Sequence, residues 1–216
     1  MSSVKVAPSI LSGDFANMGE TVENVEKWGA DLVHCDVMDG RFVPNITFGM
    51  PMIKAIRPHT KLPLDVHLMI VEPELYVERF CDAGADFVTF HPEASKDPRG
   101  TLLKIKNKGV KCGLVVNPDK DFSLVKDYMD LVDMIVLMGV FPGFGGQSYI
   151  ESVDENIKVL AEEIKKSGRD ILLELDGGVT LSNAEKFRDL GITVLVAGSA
   201  TFKADDKVAA IKVMRG

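Results

Sequence analysis

The 216-residue sequence predicts an α/β protein, one domain over residues 1–216 in which eight parallel strands alternate with helices and close into a (β/α)8 barrel. Three observations carry this. Glycines at positions 29, 84, 109, 168 and 191 each precede an apolar run by two or three residues, the punctuation of a helix end followed by a strand. Their intervals of 55, 25, 59 and 23 residues match one or two βα repeats, so each long interval hides one unmarked strand. Several runs, notably 134–138 (MIVLM) and 194–197 (VLVA), are apolar at successive positions, as strands buried on both sides of a parallel sheet require.

Taken in order, residues 4–11 form the first strand. Phe15, Met18, Val22, Val25 and Trp28 then recur at helical spacing and mark one buried face, which Gly29 ends. The second strand runs from Asp31 through His34 towards Gly40, and residues 62–69 supply the strand hidden in the first long interval. Glu72-Pro73 opens a helix with Tyr76, Phe80 and Ala83 on one face, Pro being well placed in a first turn. Strands four and five follow Gly84 and Gly109, and the sixth occupies 134–140 in the second long interval. Ile157, Leu160, Ala161 and Ile164 form the stripe before Gly168; strand seven ends at Asp176 and strand eight at Ala197. Eight such units favour a closed barrel over a doubly wound open sheet, which usually has fewer strands.

Composition narrows the function classes. Twenty-five basic against 32 acidic residues give a net charge of −7, and no Lys/Arg cluster tracks a phosphodiester backbone, which argues against a nucleic-acid partner. Cys35, Cys81 and Cys112 form no C-x-x-C pair, a set suited to a reducing compartment and a cytoplasmic location. The first eight residues contain no long apolar stretch, and no apolar run approaches the length of a membrane span, so neither export nor membrane insertion is expected.

Strand alternation puts His34, Asp36 and Met38 on one face of strand two, and Asp65, His67 and Met69 on one face of strand three. In a parallel barrel these strand ends meet Asp176 at one mouth, the face where such folds keep their active sites. His34, Asp36, His67 and Asp176 would offer two nitrogens and two oxygens, a set suited to Zn, Fe, Mn or Co rather than Ca. Either histidine alone reads equally well as a hydrogen-bonded core residue. Asp65 is a candidate to orient a ligand from behind, or a buried structural hydrogen bond. Glycines crowd three later strand ends, at 142–148 (PGFGGQS), Gly177-Gly178 and Gly198-Ser199. Backbone N–H groups exposed there suit a phosphate, and since the loops hold no Lys or Arg, amides and hydroxyls would do the binding. Met38, Met69 and Met138 are either core or an apolar wall for the reacting centre. Asp39-Gly40 and Asn117-Pro118 read as turns, His59 as a surface loop residue, and His91 as either pocket lining or packing at the end of strand four.

Residues 7–11 (APSIL), 34–45 (HCDVMDGRFVPN), 65–69 (DVHLM), 142–147 (PGFGGQ), 176–179 (DGGV) and 196–199 (VAGS) together resemble the ribulose-phosphate 3-epimerase family, over essentially the whole chain. The resemblance implies a TIM barrel of the ribulose-phosphate-binding type that interconverts D-ribulose 5-phosphate and D-xylulose 5-phosphate. It implies one divalent metal, no organic cofactor, and a homo-oligomer. It makes His34, Asp36, His67 and Asp176 the metal ligands and Asp36 and Asp176 also the acid/base pair. Ser9 and His67 would contact the sugar, and Gly143, Phe144, Gly145, Gly146, Gly177, Gly178, Gly198 and Ser199 would hold the phosphate end. Inversion next to a ketone needs a proton removed from one face and one returned to the other, which two carboxylates can do, while the metal acts as Lewis acid for the ene-diolate.

Two positions depart from that family's pattern. Gly139 stands where a small hydroxyl residue is usual, and Phe141 where a polar or acidic one is. The nearest alternative keeps the mechanism and lengthens the sugar, as in allulose-6-phosphate 3-epimerases; the GFGG loop and residues 91–95 (HPEAS) favour the pentulose. Decarboxylases and aldol-type synthases on similar barrels use Asp-x-Lys-x-x-Asp at a strand end, and this chain has Met38 in place of that lysine. A non-catalytic sugar-phosphate-binding module would have little use for a complete metal and acid/base set.

Overall fold

The computed structural model describes residues 4–216; the first three residues of the expected domain, and with them part of the N-terminal stretch read above for export, lie outside the described residues. Among the described residues there are eight strands: β1 (Lys5–Ala7), β2 (Val33–Met38), β3 (Leu64–Met69), β4 (Phe87–Phe90), β5 (Lys111–Val116), β6 (Met134–Met138), β7 (Leu172–Asp176) and β8 (Val194–Val196). All neighbours pair in parallel, in the order β1-β8-β7-β6-β5-β4-β3-β2. An isolated parallel bridge between Ser9 and His34 joins the two ends of that order and closes the barrel.

Eight helices accompany the strands: α1 (Met18–Lys27), α2 (Met50–Ile56), α3 (Val77–Asp82), α4 (Pro98–Asn107), α5 (Val153–Ser167), α6 (Ala184–Leu190), α7 (Ser199–Phe202) and α8 (Lys207–Arg215). The five punctuating glycines all have positive φ, between 65° and 109°, the left-handed conformation in which a helix end turns into the next strand. Alternation divides each strand between two environments. Outward side chains such as Val37, Leu68, Phe90, Leu114, Leu137 and Leu175 pack against the helices, on α5 against Val153, Ile157 and Leu160. Full burial of one such side chain contributes about 1.5–3 kcal/mol, so this outer layer holds the barrel together.

Four local expectations need correction. The first strand stops at Ala7 because Pro8 cannot donate to a ladder; Ser9 instead caps a 3-10 turn over Ile10–Ser12, its Oγ accepting from Leu11 N. Phe15 lies before α1 and is 43% exposed, leaving Met18, Val22 and Val25 as the buried stripe. Pro73 opens a 3-10 turn rather than α3 itself, and Tyr76 faces outward while Val77, Phe80 and Cys81 are buried. Between β5 and β6 two 3-10 turns, Phe122–Leu124 and Lys126–Tyr128, stand where a regular repeat would carry a helix.

Candidate active site

β2 and β3 run in register with His34 beside Asp65, Asp36 beside His67 and Met38 beside Met69, so both polar pairs point into the barrel near its C-terminal mouth. β7 brings Asp176 to the same level, paired with Met138 of β6 and Val196 of β8. The end of β2 is held from outside by Thr47, whose hydroxyl donates to the Asp36 carbonyl (2.6 Å) and accepts from Met38 N (3.0 Å).

His34, Asp36, His67 and Asp176 form one buried cluster whose potential ligand atoms lie within 4.8 Å of one another. His34 Nε2 is 3.3 Å from Asp36 Oδ1 and 3.7 Å from Asp176 Oδ2; His67 Nδ1 is 3.5 Å from each of those oxygens. Both ring nitrogens are buried without a hydrogen-bond partner. Donors about 2.0–2.1 Å from a tetrahedral zinc would be roughly 3.4 Å apart, so these residues fit a divalent ion with little rearrangement.

Charge explains how the cluster stays folded. Burial would lower the His34 pKa, but the Asp36 and Asp65 carboxylates reverse this and hold it well above the ordinary value. His67 is raised too, against burial, by Asp176 and Asp36. Burial alone would raise Asp36, yet the two imidazoles keep its carboxyl below the usual range. Beneath this layer, His34 Nδ1 lies 2.6 Å from Asp65 Oδ2 and 3.4 Å from Glu174 Oε1. The Asp65 contact aims His34 Nε2 at the cluster. Glu174 is fully buried, and burial together with the Asp65 charge pushes its pKa well up, which favours its neutral form.

Above the cluster opens a cavity of about 480 Å³. Asp36 and Asp176 reach it, whereas His34 and His67 lie below. Met38, Met69 and Met138 line it, as do Ser9, residues 143–146, Gly177, Gly178, Gly198 and Ser199, so every candidate contact residue from the sequence faces one space or the cluster under it. Ser9 Oγ donates to Asp36 Oδ2 at 2.5 Å. No Lys or Arg is among the described lining residues. Sequence reasoning missed Tyr149, Thr180 and Asn183 in the lining, which sit in loops without a period to betray them. It also missed Glu174, although that residue shares the face of Asp176 two positions on.

The unusual Gly139 has a packing reason: a Cβ there would run into the Gly177 carbonyl oxygen and meet Tyr149 Cδ2 at 3.0 Å. Gly178, at φ 72°, leaves no room for a Cβ against Tyr149 either, so Tyr149 seals the base of the sixth loop against two glycines. Phe141 is 53% exposed, Phe144 56%. His59 is on the surface, 2.8 Å from Glu23. His91 does not line the cavity; it is fully buried against His67. Burial lowers its pKa to about 4, so its imidazole is neutral.

Fold and site together define a TIM-barrel enzyme with a mixed nitrogen and oxygen cluster beneath a glycine-lined mouth. The description "Ribulose-phosphate 3 epimerase family" belongs to the family model that matches residues 5–202. The chain is 48% identical over 214 residues to ribulose-phosphate 3-epimerase of Bacillus subtilis (strain 168), covering 99% of each. It is 50% identical over 213 residues to the chloroplastic ribulose-5-phosphate-3-epimerase of Arabidopsis thaliana, covering 98% of this chain and 76% of that protein. It belongs to the ribulose-phosphate 3-epimerase family. Among solved structures it is similar to 3-hexulose-6-phosphate synthase from Salmonella typhimurium (TM-score 0.69, 19% identity, 98% and 96% of the two chains). It is also similar to tryptophan synthase of Mycobacterium tuberculosis (0.69, 12%, 99% and 91%). At these identities the likeness is one of fold. No helix among the described residues is long and apolar enough to cross a membrane.

Proposed function

We propose that this chain interconverts D-ribulose 5-phosphate and D-xylulose 5-phosphate by moving the proton at C3, with Asp36 and Asp176 as its acid/base pair and one divalent metal held by His34, Asp36, His67 and Asp176. The observation that carries the reading is that carboxylates from separate strands, β2 and β7, face one closed-bottomed cavity while sharing the same two imidazoles. One of the two, as carboxylate, can then take a proton from one face of a bound sugar while the other, as carboxylic acid, gives its proton to the opposite face, each step worth about 10²–10⁴-fold. In the metal-free cluster His34 and His67 lower the Asp36 pKa, which favours the carboxylate form that can accept a proton. When bound, the metal would add Lewis-acid stabilisation of the charge that develops at the adjacent ketone oxygen, worth several kcal/mol.

Ser9 fixes the Asp36 carboxylate and lies where a sugar hydroxyl could reach it. The methionines wall off the reacting centre, and the glycine loops receive the phosphate through backbone N–H groups, since the described lining residues include no cationic side chain. The physiological setting proposed is the cytoplasm, and the assembly a homo-oligomer. The test compares initial epimerisation rates of zinc-loaded protein on D-ribulose 5-phosphate and D-allulose 6-phosphate. The pentulose is expected to turn over faster; a faster hexulose transfers the assignment to that substrate.

A further inference from the structure

The side of His67 that faces away from the cavity takes no part in the chemistry above. There His67 and His91 place their Nε2 atoms 3.0 Å apart. Their ring centroids are 5.1 Å apart with planes inclined by 29°, so the rings meet edge to edge through those nitrogens. Two imidazole nitrogens this close share one proton: one donates and the other accepts. His67 Nδ1 faces Asp36 and Asp176 at 3.5 Å and has no hydrogen-bond partner. For its lone pair to be free there, the ring proton must be on Nε2, and His91 Nε2 must accept it.

That choice propagates. His91 then carries its own proton on Nδ1, also buried without a hydrogen-bond partner, and the carboxylate facing it is Glu93, with Oε1 3.8 Å away. Glu93 is itself held by Asn117, whose Nδ2 donates to Oε1 at 2.6 Å. Phe42 packs on the His91 ring at 4.6 Å, so the imidazole cannot turn away. His34 has the simpler version of the same support, Asp65 lying directly on its second nitrogen. Buried His91 and 29%-exposed Glu93 make the longer one, leading from the cluster to the surface.

We propose that His91 and Glu93 are positioning residues, a relay anchored by Asn117 that fixes the tautomer of His67 and thereby sets how tightly the cluster holds a divalent metal. Partners that a ligating histidine finds through its second nitrogen typically govern metal affinity by about 10- to 100-fold. The proposal rests on the metal reading given above.

The test is Zn²⁺ affinity of the full chain by chelator competition, with the melting temperature of each metal-free protein as the measure of folding. His91→Leu is expected to weaken zinc binding by about 10- to 100-fold, and His91→Gln, whose amide oxygen can accept from His67, to recover most of it. Glu93→Leu weakens binding in the parent but not in the His91→Leu background, because Glu93 acts only through His91; a merely structural role would give the same loss in both. Zinc affinity unchanged in His91→Leu, or equal losses from Glu93→Leu in both backgrounds, overturns the relay. Should His91→Leu fail to fold, an unchanged affinity in Glu93→Leu overturns it and a weakened one with normal melting supports it. A parent protein that binds no zinc overturns the metal reading and the relay together, whereas a tight-binding parent with equally tight variants overturns the relay alone.

Discussion

The inner face of the barrel is lined by two unlike groups of strands, interleaved where polar β7 runs between apolar β6 and β8. β5, β6 and β8 send in Val115, Met134, Val136, Val194 and Val196, an apolar cluster. β2, β3, β4 and β7 send in His34, Asp36, Asp65, His67, Thr89, Glu174 and Asp176, every one of them buried. The first group follows the ordinary rule for interiors. The second breaks it, since an ionised group buried without a partner costs several kcal/mol, and neighbouring strands here offset one another's charges in register. On the function proposed above, the contrast separates the part of the fold that holds from the part that acts.

The largest expected effect strikes the acting group alone. Asp176→Asn keeps shape and volume but removes a proton carrier, so epimerisation should fall by about 10²–10⁴-fold while circular dichroism and melting stay near the parent's. Near-parental turnover would remove Asp176 from the acid/base pair. Val136→Asp reverses the experiment by carrying a charge into the apolar group at its border with the polar one, next to the carboxyl of Glu174 in the ladder. It should cost about 3–5 kcal/mol in denaturant unfolding, with no partner there to offset it. A loss under about 1 kcal/mol would show that the two groups are not so different.

pH gives a smaller, graded effect. In metal-free protein, His34 and His67 have pKa values above their unfolded ones, so the stability they contribute is fully present below about pH 6.5 and lost as pH rises through the folded values. Glu174, also raised, has the same sign, while lowered Asp36 loses its contribution only as pH falls below its unfolded value, outside this window. Melting temperature in chelator should therefore drop from pH 6 towards pH 9. Added zinc, which takes the place of those protons, should stabilise more at the higher pH. A flat profile in chelator would contradict the charge arrangement described.

The smallest effect is expected for Glu174→Gln. A neutral acid and an amide are close in shape and hydrogen-bonding capacity, so stability at pH 7 should change by less than about 1 kcal/mol while the slope with pH flattens. A large loss would mean that the carboxyl is ionised.

Much of this contrast was legible in the sequence. The glycine spacing gives the repeat, strand parity puts His34 with Asp36 and His67 with Asp65 on shared faces, and the end of a strand run brings Asp176 to the same mouth. Parity puts Asp65 only on the face of His67; its place behind His34 comes from the β2–β3 register, which no local pattern shows. Glu174 escaped because it sits in the apolar body of β7, two residues short of the strand end where Asp176 points to the mouth. His91 and Glu93 escaped as a pair because their meaning depends on His67, a neighbour across β3 and β4 that no local pattern links to them. Phe15 and Tyr76 differ for another reason: Phe15 lies in a 3-10 turn and Tyr76 at the junction of one with α3, where helical spacing does not yet hold.

The most direct measurement is proton NMR of zinc-loaded protein converting D-ribulose 5-phosphate in D₂O, following C3 of the first D-xylulose 5-phosphate formed. Two carboxylates that exchange with solvent should leave deuterium at C3 of nearly every product molecule. Product that retains the substrate's own hydrogen at C3, or no conversion by protein shown to contain metal, would contradict proton transfer through Asp36 and Asp176.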